Sequence, residues 1–267
     1  MKSMKKMNDQ KFNGKNKENQ ETKETKKARR KTMMEESKVA IVSGCNRGIG
    51  AGIRDSLLAQ GYVVYGLNRT IVKINEENYF EINCDMSDQK SIIKATKSVL
   101  KKHKQIDVLV NNAAIRRFGS VDTLSMNDWD DSVNTNLSGV FYLTKSLMPS
   151  LIAAKGYCIM VGSHSEKYTF SEGSAYCSTK AAMRAFSECL LEEVRHYGVK
   201  VSYLSIGAVK NRNHGYDESW KLTPKDVGEF IASLIKMNKR ALASYIDLRP
   251  SQPLTEAKKG IEKLQYM

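Results

Sequence analysis

The chain has 267 residues and a mass of 30.1 kDa, with 41% hydrophobic residues and a mean hydropathy of −0.47. That is long enough for one large domain with a substantial core, and it excludes a disulfide-stapled miniprotein. A formal charge of +14, from 43 Lys+Arg against 29 Asp+Glu, admits nucleic acid, an anionic membrane or an anionic substrate as partner without choosing among them.

Five scattered cysteines, Cys45, Cys84, Cys158, Cys177 and Cys189, show no C-x-x-C spacing, so they suit a reducing compartment and offer no zinc site. No apolar run approaches the roughly 20 residues of a membrane span. Lysines without an apolar stretch behind them make no secretory signal, and Glu18, Glu21 and Glu24 oppose a transit peptide, so cytoplasmic residence is the expectation.

Residues 1–36 carry 12 Lys+Arg and 6 Asp+Glu among Asn, Gln and Thr, a composition that predicts a disordered tail. It is read as a solvated leader in preference to a nucleic-acid arm, because no aromatic or motif accompanies the charge. From residue 37 to 250 short β-branched runs alternate with helical stretches, the layout of repeated βα units. Strands are predicted at 39–43, 62–67, 79–83, 107–110, 157–161, 199–205 and 245–248, and helices at 50–60, 88–102, 126–153, 174–196 and 223–236. The predicted fold is α/β: a doubly wound Rossmann fold whose seven-stranded, mostly parallel sheet has helices on both faces, followed by an extension at 251–267.

The first strand runs into Ser43-Gly44-Cys45-Asn46-Arg47-Gly48-Ile49-Gly50. Three glycines at a strand-to-helix turn let the backbone approach a pyrophosphate at a helix N-terminus. The spacing G-x-x-x-G-x-G is not that of a P-loop, and no Lys-Ser or Lys-Thr follows. In its place the loop resembles that of the short-chain dehydrogenase/reductase family, T-G-x-x-x-G-x-G, with Ser43 where Thr is commoner.

The second strand ends in Leu67-Asn68-Arg69-Thr70, where an acid would hold the ribose 2′-hydroxyl of NAD. The acid is absent. Arg69 and Arg47 instead suit charge-assisted hydrogen bonds to a 2′-phosphate, so NADP(H) is the predicted cofactor, with Asn68 beside it. Further matches follow from the resemblance: Cys84-Asp85-Met86, whose Asp would meet the adenine, and Asn111-Asn112-Ala113-Ala114, similar to the family's N-N-A-G.

Asn136, in the helix after the fourth strand, stands where the family has a catalytic Asn. Ser163 follows the fifth strand, and a hydroxyl at a strand's carboxyl end can polarise a substrate carbonyl. Thirteen residues later come Tyr176 and Lys180, at i and i+4 and so on one helix face. An ammonium beside a phenol stabilises its phenolate and brings its pKa toward neutrality. The family spaces its catalytic Ser, Tyr and Lys in this way; Ser165, the nearest other hydroxyl, is two residues too close to Tyr176.

After the sixth strand the family commonly has Pro-Gly, then Val or Ile, then Thr; this chain has Ile206-Gly207-Ala208-Val209-Lys210-Asn211. Gly207, Val209 and Asn211 are the cofactor contacts implied there. Around the cleft the resemblance gathers the cations Arg116, Arg117 and Lys167, with His164, Tyr168, His214, Tyr216 and Trp220, a rim suited to an anionic or bulky polar substrate.

The resemblance therefore implies a short-form NADP(H)-dependent carbonyl reductase acting on a small, carrier-linked or peptide-linked ketone or aldehyde. It further implies a homodimer or homotetramer packed through the helices after the fourth and fifth strands, with no membrane or nucleic-acid role. A non-catalytic NADP(H)-binding regulatory or structural protein is the alternative.

Overall fold

The computed structural model describes residues 37–210 and 219–252. The basic leader, most of the C-terminal extension and the predicted site residues Asn211, His214 and Tyr216 lie outside those ranges.

Strand β1 (Val39–Ser43) is buried along its whole length, as a strand covered on both faces must be. Helix α1 (Gly48–Ala59) follows, then β2 (Val63–Asn68), β3 (Tyr79–Asn83), α2 (Gln89–Leu100) and β4 (Val108–Asn111). Helix α2 starts where the Asp88 carboxylate accepts the Lys90 N–H, satisfying one of the free donors of a helix N-terminus. Next come α3 (Met126–Val133), a π-helical turn (Asn134–Ser138), α4 (Gly139–Ala154), β5 (Tyr157–Val161) and α5 (Ser174–Val194). The described chain closes with β6 (Lys200–Ile206), α6 (Pro224–Ile235) and β7 (Tyr245–Leu248). A reciprocal capping box between Thr223 and Asp226 starts α6, with proline at its first turn.

The strands form one sheet in the order β3-β2-β1-β4-β5-β6-β7. Every pairing is parallel, where the sequence predicts a mostly parallel sheet. Alternate residues of each strand serve opposite layers. Ile41, Leu67 and Leu109 pack toward α2, α4 and α5, beside Ile92, Leu143 and Leu190. Val42, Val64 and Val110 pack toward α1 and α6, beside Leu57 and Ile231. Strand order reverses between β1 and β4, so the crevice for a ligand opens at their carboxyl ends.

The predicted helix 126–153 is present but interrupted by the π turn at Asn134-Thr135-Asn136, where α-helical propensity is low and the Asn136 side chain bonds outside the helix. By length and composition alone the span Met126–Ala154 could cross a membrane. Its apolar residues Val140, Leu143, Leu147 and Leu151 belong instead to the core.

Helices α1 and α6 cross at backbone contact: a Cβ on Gly52 would overlap the Pro224 carbonyl, and one on Gly228 the Gly52 carbonyl. Gly52→Ala therefore pushes two backbones apart and is expected to cost about 1–3 kcal/mol, roughly 2–10 °C in Tm at this size. Thermal unfolding checks this; an unchanged Tm would mean that the crossing tolerates a methyl group.

Candidate active site

The crevice is built on Ser43. Its Oγ accepts the N–H groups of Asn112 (3.0 Å) and Ala113 (3.1 Å) and donates to the Val110 carbonyl (3.4 Å). The Asn112 side chain returns the link by donating to the carbonyls of Ser43 (2.9 Å) and Gly44 (2.8 Å). Gly44 and Gly48 have φ of +67° and +56°, a region where a side chain is strained. A Cβ at Gly44 would also stand 2.9 Å from the Ala113 Cα, and one at Gly50 would overlap the Gly44 carbonyl. Ile49 packs on the core beside the loop. Behind it, buried Arg54 donates to the Cys45 carbonyl at 2.9 Å while pairing with Asp55 at 2.7 Å.

Asn68 lies in this scaffold and does not face outward. It is buried, accepts the Cys45 N–H at 2.8 Å and donates to the Tyr79 hydroxyl at 3.2 Å. Asn46 donates to the Thr70 carbonyl at 2.6 Å, which ties the glycine loop to the end of β2. Arg47 and Arg69, on the two tied segments, are both exposed.

Three features fit a dinucleotide. The start of α1 has no side-chain cap and no acid in its first turn, so its free N–H groups and dipole favour an anion. The glycine loop excludes side chains from its own concavity. The Asn46 Oδ1 is buried without a hydrogen-bond partner, an acceptor suited to a ligand hydroxyl.

The other predicted cofactor positions divide by orientation. Cys84 and Met86 turn their side chains into the core, leaving only backbone for a ligand; burial pushes the Cys84 thiol up to about 11. Asp85 is half-buried, and its Oδ1 accepts the N–H and hydroxyl of Ser87. Beyond β6, Gly207 donates to the Leu248 carbonyl at 2.9 Å, and a Cβ on it would come within 2.8 Å of the His164 ring. Val209 bridges to Leu222.

Tyr176, Lys180 and Ser163 come together at the carboxyl end of β5. Tyr176 and Lys180 are 6% and 3% exposed, and the Lys180 Nζ lies 5.8 Å from the Tyr176 ring centre while donating to the Val161 carbonyl at 2.9 Å. Burial raises the Tyr176 pKa, but the charges of Lys180 and Arg116 and hydrogen bonding with Ser163 and Arg116 outweigh it, so the phenol sits below its ordinary value. Burial lowers the Lys180 pKa, aided by Arg116 and opposed by Tyr176. Ser163 also engages Ser165, donating to its hydroxyl at 3.1 Å and accepting its N–H at 3.2 Å.

Asn136 is buried in the π turn. Its Oδ1 accepts the Ile115 N–H at 2.8 Å, and its Nδ2 donates to the Ile115 carbonyl at 2.9 Å and the Thr179 hydroxyl at 3.2 Å. It thus clamps the segment after β4 to the helix that carries Tyr176.

The rim differs from the sequence expectation. His164 is buried, with its Nε2 2.6 Å from the Asp247 carboxylate on β7. Arg117 pairs with Asp128 (2.9 Å) and Asp131 (3.4 Å). Tyr168 accepts a hydrogen bond from Arg249 at 3.2 Å, Lys167 lies 5.5 Å from the Tyr168 ring, and Trp220 is half-buried. Arg116 instead stands over Tyr176, 5.5 Å from the ring centre. Arg54, Thr179, Asp247 and Arg249 carry no motif signal in the sequence; each acts through a partner that only the fold brings near.

The parallel sheet thus carries a glycine loop at its switch point and a buried Tyr-Lys pair at the carboxyl end of β5. Residues 38–221 match the short chain dehydrogenase family model. The chain is 33% identical over 181 residues to the 3-oxoacyl-acyl-carrier-protein reductase FabG of Buchnera aphidicola, covering 65% of this chain and 74% of that one. Among solved structures, an alcohol dehydrogenase from the archaeon Thermococcus sibiricus in complex with 5-hydroxy-NADP superposes with a TM-score of 0.75 at 27% identity, covering 82% of this chain and 99% of that one. A metagenomic short-chain oxidoreductase in complex with NADP gives 0.71 at 29% identity, covering 80% and 98%. The chain belongs to the short-chain dehydrogenase family.

Asn136→Ala removes both bonds to the Ile115 backbone and leaves that N–H and carbonyl unpaired, an expected loss of about 2 kcal/mol. Hydrogen exchange at the Ile115 amide should accelerate in step; unchanged exchange would show that the clamp does not hold this segment.

Proposed function

We propose that this protein is an NADPH-dependent reductase converting a ketone or aldehyde to an alcohol. The observation that carries the reading is Tyr176, buried, with its pKa below the ordinary value, between Lys180, Arg116 and Ser163. Bound NADPH supplies the hydride. Ser163 donates a hydrogen bond to the carbonyl oxygen and orients it, strengthening as negative charge develops there. Tyr176 delivers the proton to that oxygen. Lys180 holds the phenol's pKa down and, with its remaining N–H donors, grips the nicotinamide ribose. Asn136 supports the water relay that returns the proton.

Arg47 and Arg69 act as the 2′-phosphate contacts, with the backbone of the glycine loop on the pyrophosphate. Asp85 serves the adenine, and Asn112, Ala113, Gly207, Val209 and Asn211 complete the cofactor's path. The substrate arrives as a small carbonyl compound or linked to a carrier, as the name of the Buchnera reductase states for that protein. Cytoplasmic residence belongs to the same reading.

NADPH oxidation with a panel of carbonyl compounds tests this. NADPH should exceed NADH in kcat/KM, with Arg47→Ala and Arg69→Ala narrowing the gap, and Tyr176→Phe should lower turnover about 100- to 10,000-fold. Only the protonated phenol can donate, so reduction falls as pH rises through the Tyr176 pKa; since that pKa is depressed, the falling limb should lie below pH ~10. NADH preference would overturn the cofactor assignment. Binding of NADPH without turnover of any carbonyl would favour the non-catalytic alternative.

Self-association is proposed through α4 and α5, where Phe141 is 43% exposed with its ring centre 6.0 Å from that of Phe186. Light scattering should give a dimer or tetramer, and a monomer at micromolar concentration would remove the proposal.

A further inference from the structure

Resting on that reading, we infer that Arg116 recognises the substrate by a carboxylate close to its carbonyl, so that the preferred class is a short oxo carboxylate.

The guanidinium lies over the Tyr176 ring, 5.5 Å from its centre, and interacts with the phenol hydroxyl that receives the carbonyl oxygen. A planar cation with five donors can contact a phenol along one edge and keep another edge for a second acceptor. Arg116 is exposed, and no carboxylate among the described residues stands within ion-pair distance of it. Arg117, its neighbour in sequence, contrasts directly: Asp128 and Asp131 already pair with it.

The charge balance points the same way. Lys180 and Arg116 place two cations on one phenol, and no acid in the described site compensates them. A neutral carbonyl compound leaves that excess in place when it displaces water from the cleft. A carboxylate one or two carbons from the carbonyl removes it, because its oxygens fall beside the guanidinium while the carbonyl oxygen faces Tyr176 and Ser163. Phe118, its ring centre 6.1 Å from that of Tyr176 and 5.6 Å from that of Phe170, adds an apolar surface next to the phenol. Arg116 then has two effects: it binds the anionic end, and it contributes with Lys180 to the acidity of Tyr176.

The test compares acetoacetate with methyl acetoacetate, and pyruvate with methyl pyruvate, using the full chain and NADPH. Wild type should prefer each acid over its ester. Arg116→Ala should lower kcat/KM about 30-fold or more for the acids and less than about 5-fold for the esters, the loss expected for one charge-assisted contact. Arg116→Lys should restore part of the preference.

Two readouts are independent of turnover. Calorimetry in the presence of NADP+, where reduction cannot proceed, should show acetoacetate binding to wild type and not to Arg116→Ala. Ultraviolet difference titration against Tyr176→Phe should show the Tyr176 ionisation moving to higher pH in Arg116→Ala. Equal losses on acids and esters, with Arg116-independent binding of acetoacetate, would overturn the inference, and a preference for the esters would do so in favour of a neutral acyl substrate. If no carbonyl compound is reduced but acetoacetate binding still depends on Arg116, the reductase reading fails and the anion site stands.

Discussion

One serine hydroxyl joins the two halves of the crevice. Parallel strands have no hairpins to fix the relative position of their ends, so something else must hold the carboxyl ends of β1 and β4 where the strand order reverses. Ser43 Oγ does so with three hydrogen bonds, and Asn112 closes the circuit onto the carbonyls of Ser43 and Gly44. Gly44 can then approach the Ala113 Cα to a distance no side chain would permit, and the start of α1 is aimed at the cleft. The usual Thr of the family is replaced here by Ser, which keeps the hydroxyl that makes these bonds.

The opposite wall is governed by a contest between burial and charge. A phenol withdrawn from water is harder to ionise, and an ammonium withdrawn from water is harder to keep charged. Tyr176 and Lys180 are withdrawn together, and each relieves the other. Arg116 tips the balance further for Tyr176 and against Lys180. The surroundings thereby lower the pKa of both groups, while the clamp from Asn136 through Thr179 and Ile115 holds the helix and the facing segment in one register.

The sheet and its helices were readable from residues 39–248 because buried parallel strands give continuous apolar runs and the helices between them give 3.6-residue patterns. The meeting of Ser163, Tyr176 and Lys180 was readable for a similar reason: two of them share a helix face, and the third ends a strand next to that helix. Arg116 was legible only as one loop cation among several. Nothing local to Ile115-Arg116-Arg117 distinguishes the arginine that meets Tyr176, sixty residues on, from the one that meets Asp128 and Asp131. His164 shows the converse. Its neighbour Ser163 places it near the cleft, yet its ring turns inward to Asp247, 83 residues away on the last strand, and that pairing leaves no trace in the sequence around either residue. Asn68, expected beside the cofactor, is drawn inward by the Cys45 N–H, a backbone donor that has no sequence signature at all.

The π turn at Asn134–Ser138 also fixes the phase of everything after it. Such a turn spreads its hydrogen bonds over five residues where an α-turn uses four, so it inserts one residue and rotates the following helix by about 100° about its axis. The stripe Val140, Leu143, Leu147 and Leu151 meets the sheet only with that rotation included. A one-residue deletion between Val133 and Gly139 that restored an uninterrupted α-helix would keep these four side chains on the sheet, whereas straightening the turn at its present length would rotate them off it by about 100°. The segment that lets Asn136 reach sideways is therefore also the segment that sets the phase of the core stripe, and its residue count and its turn type act together.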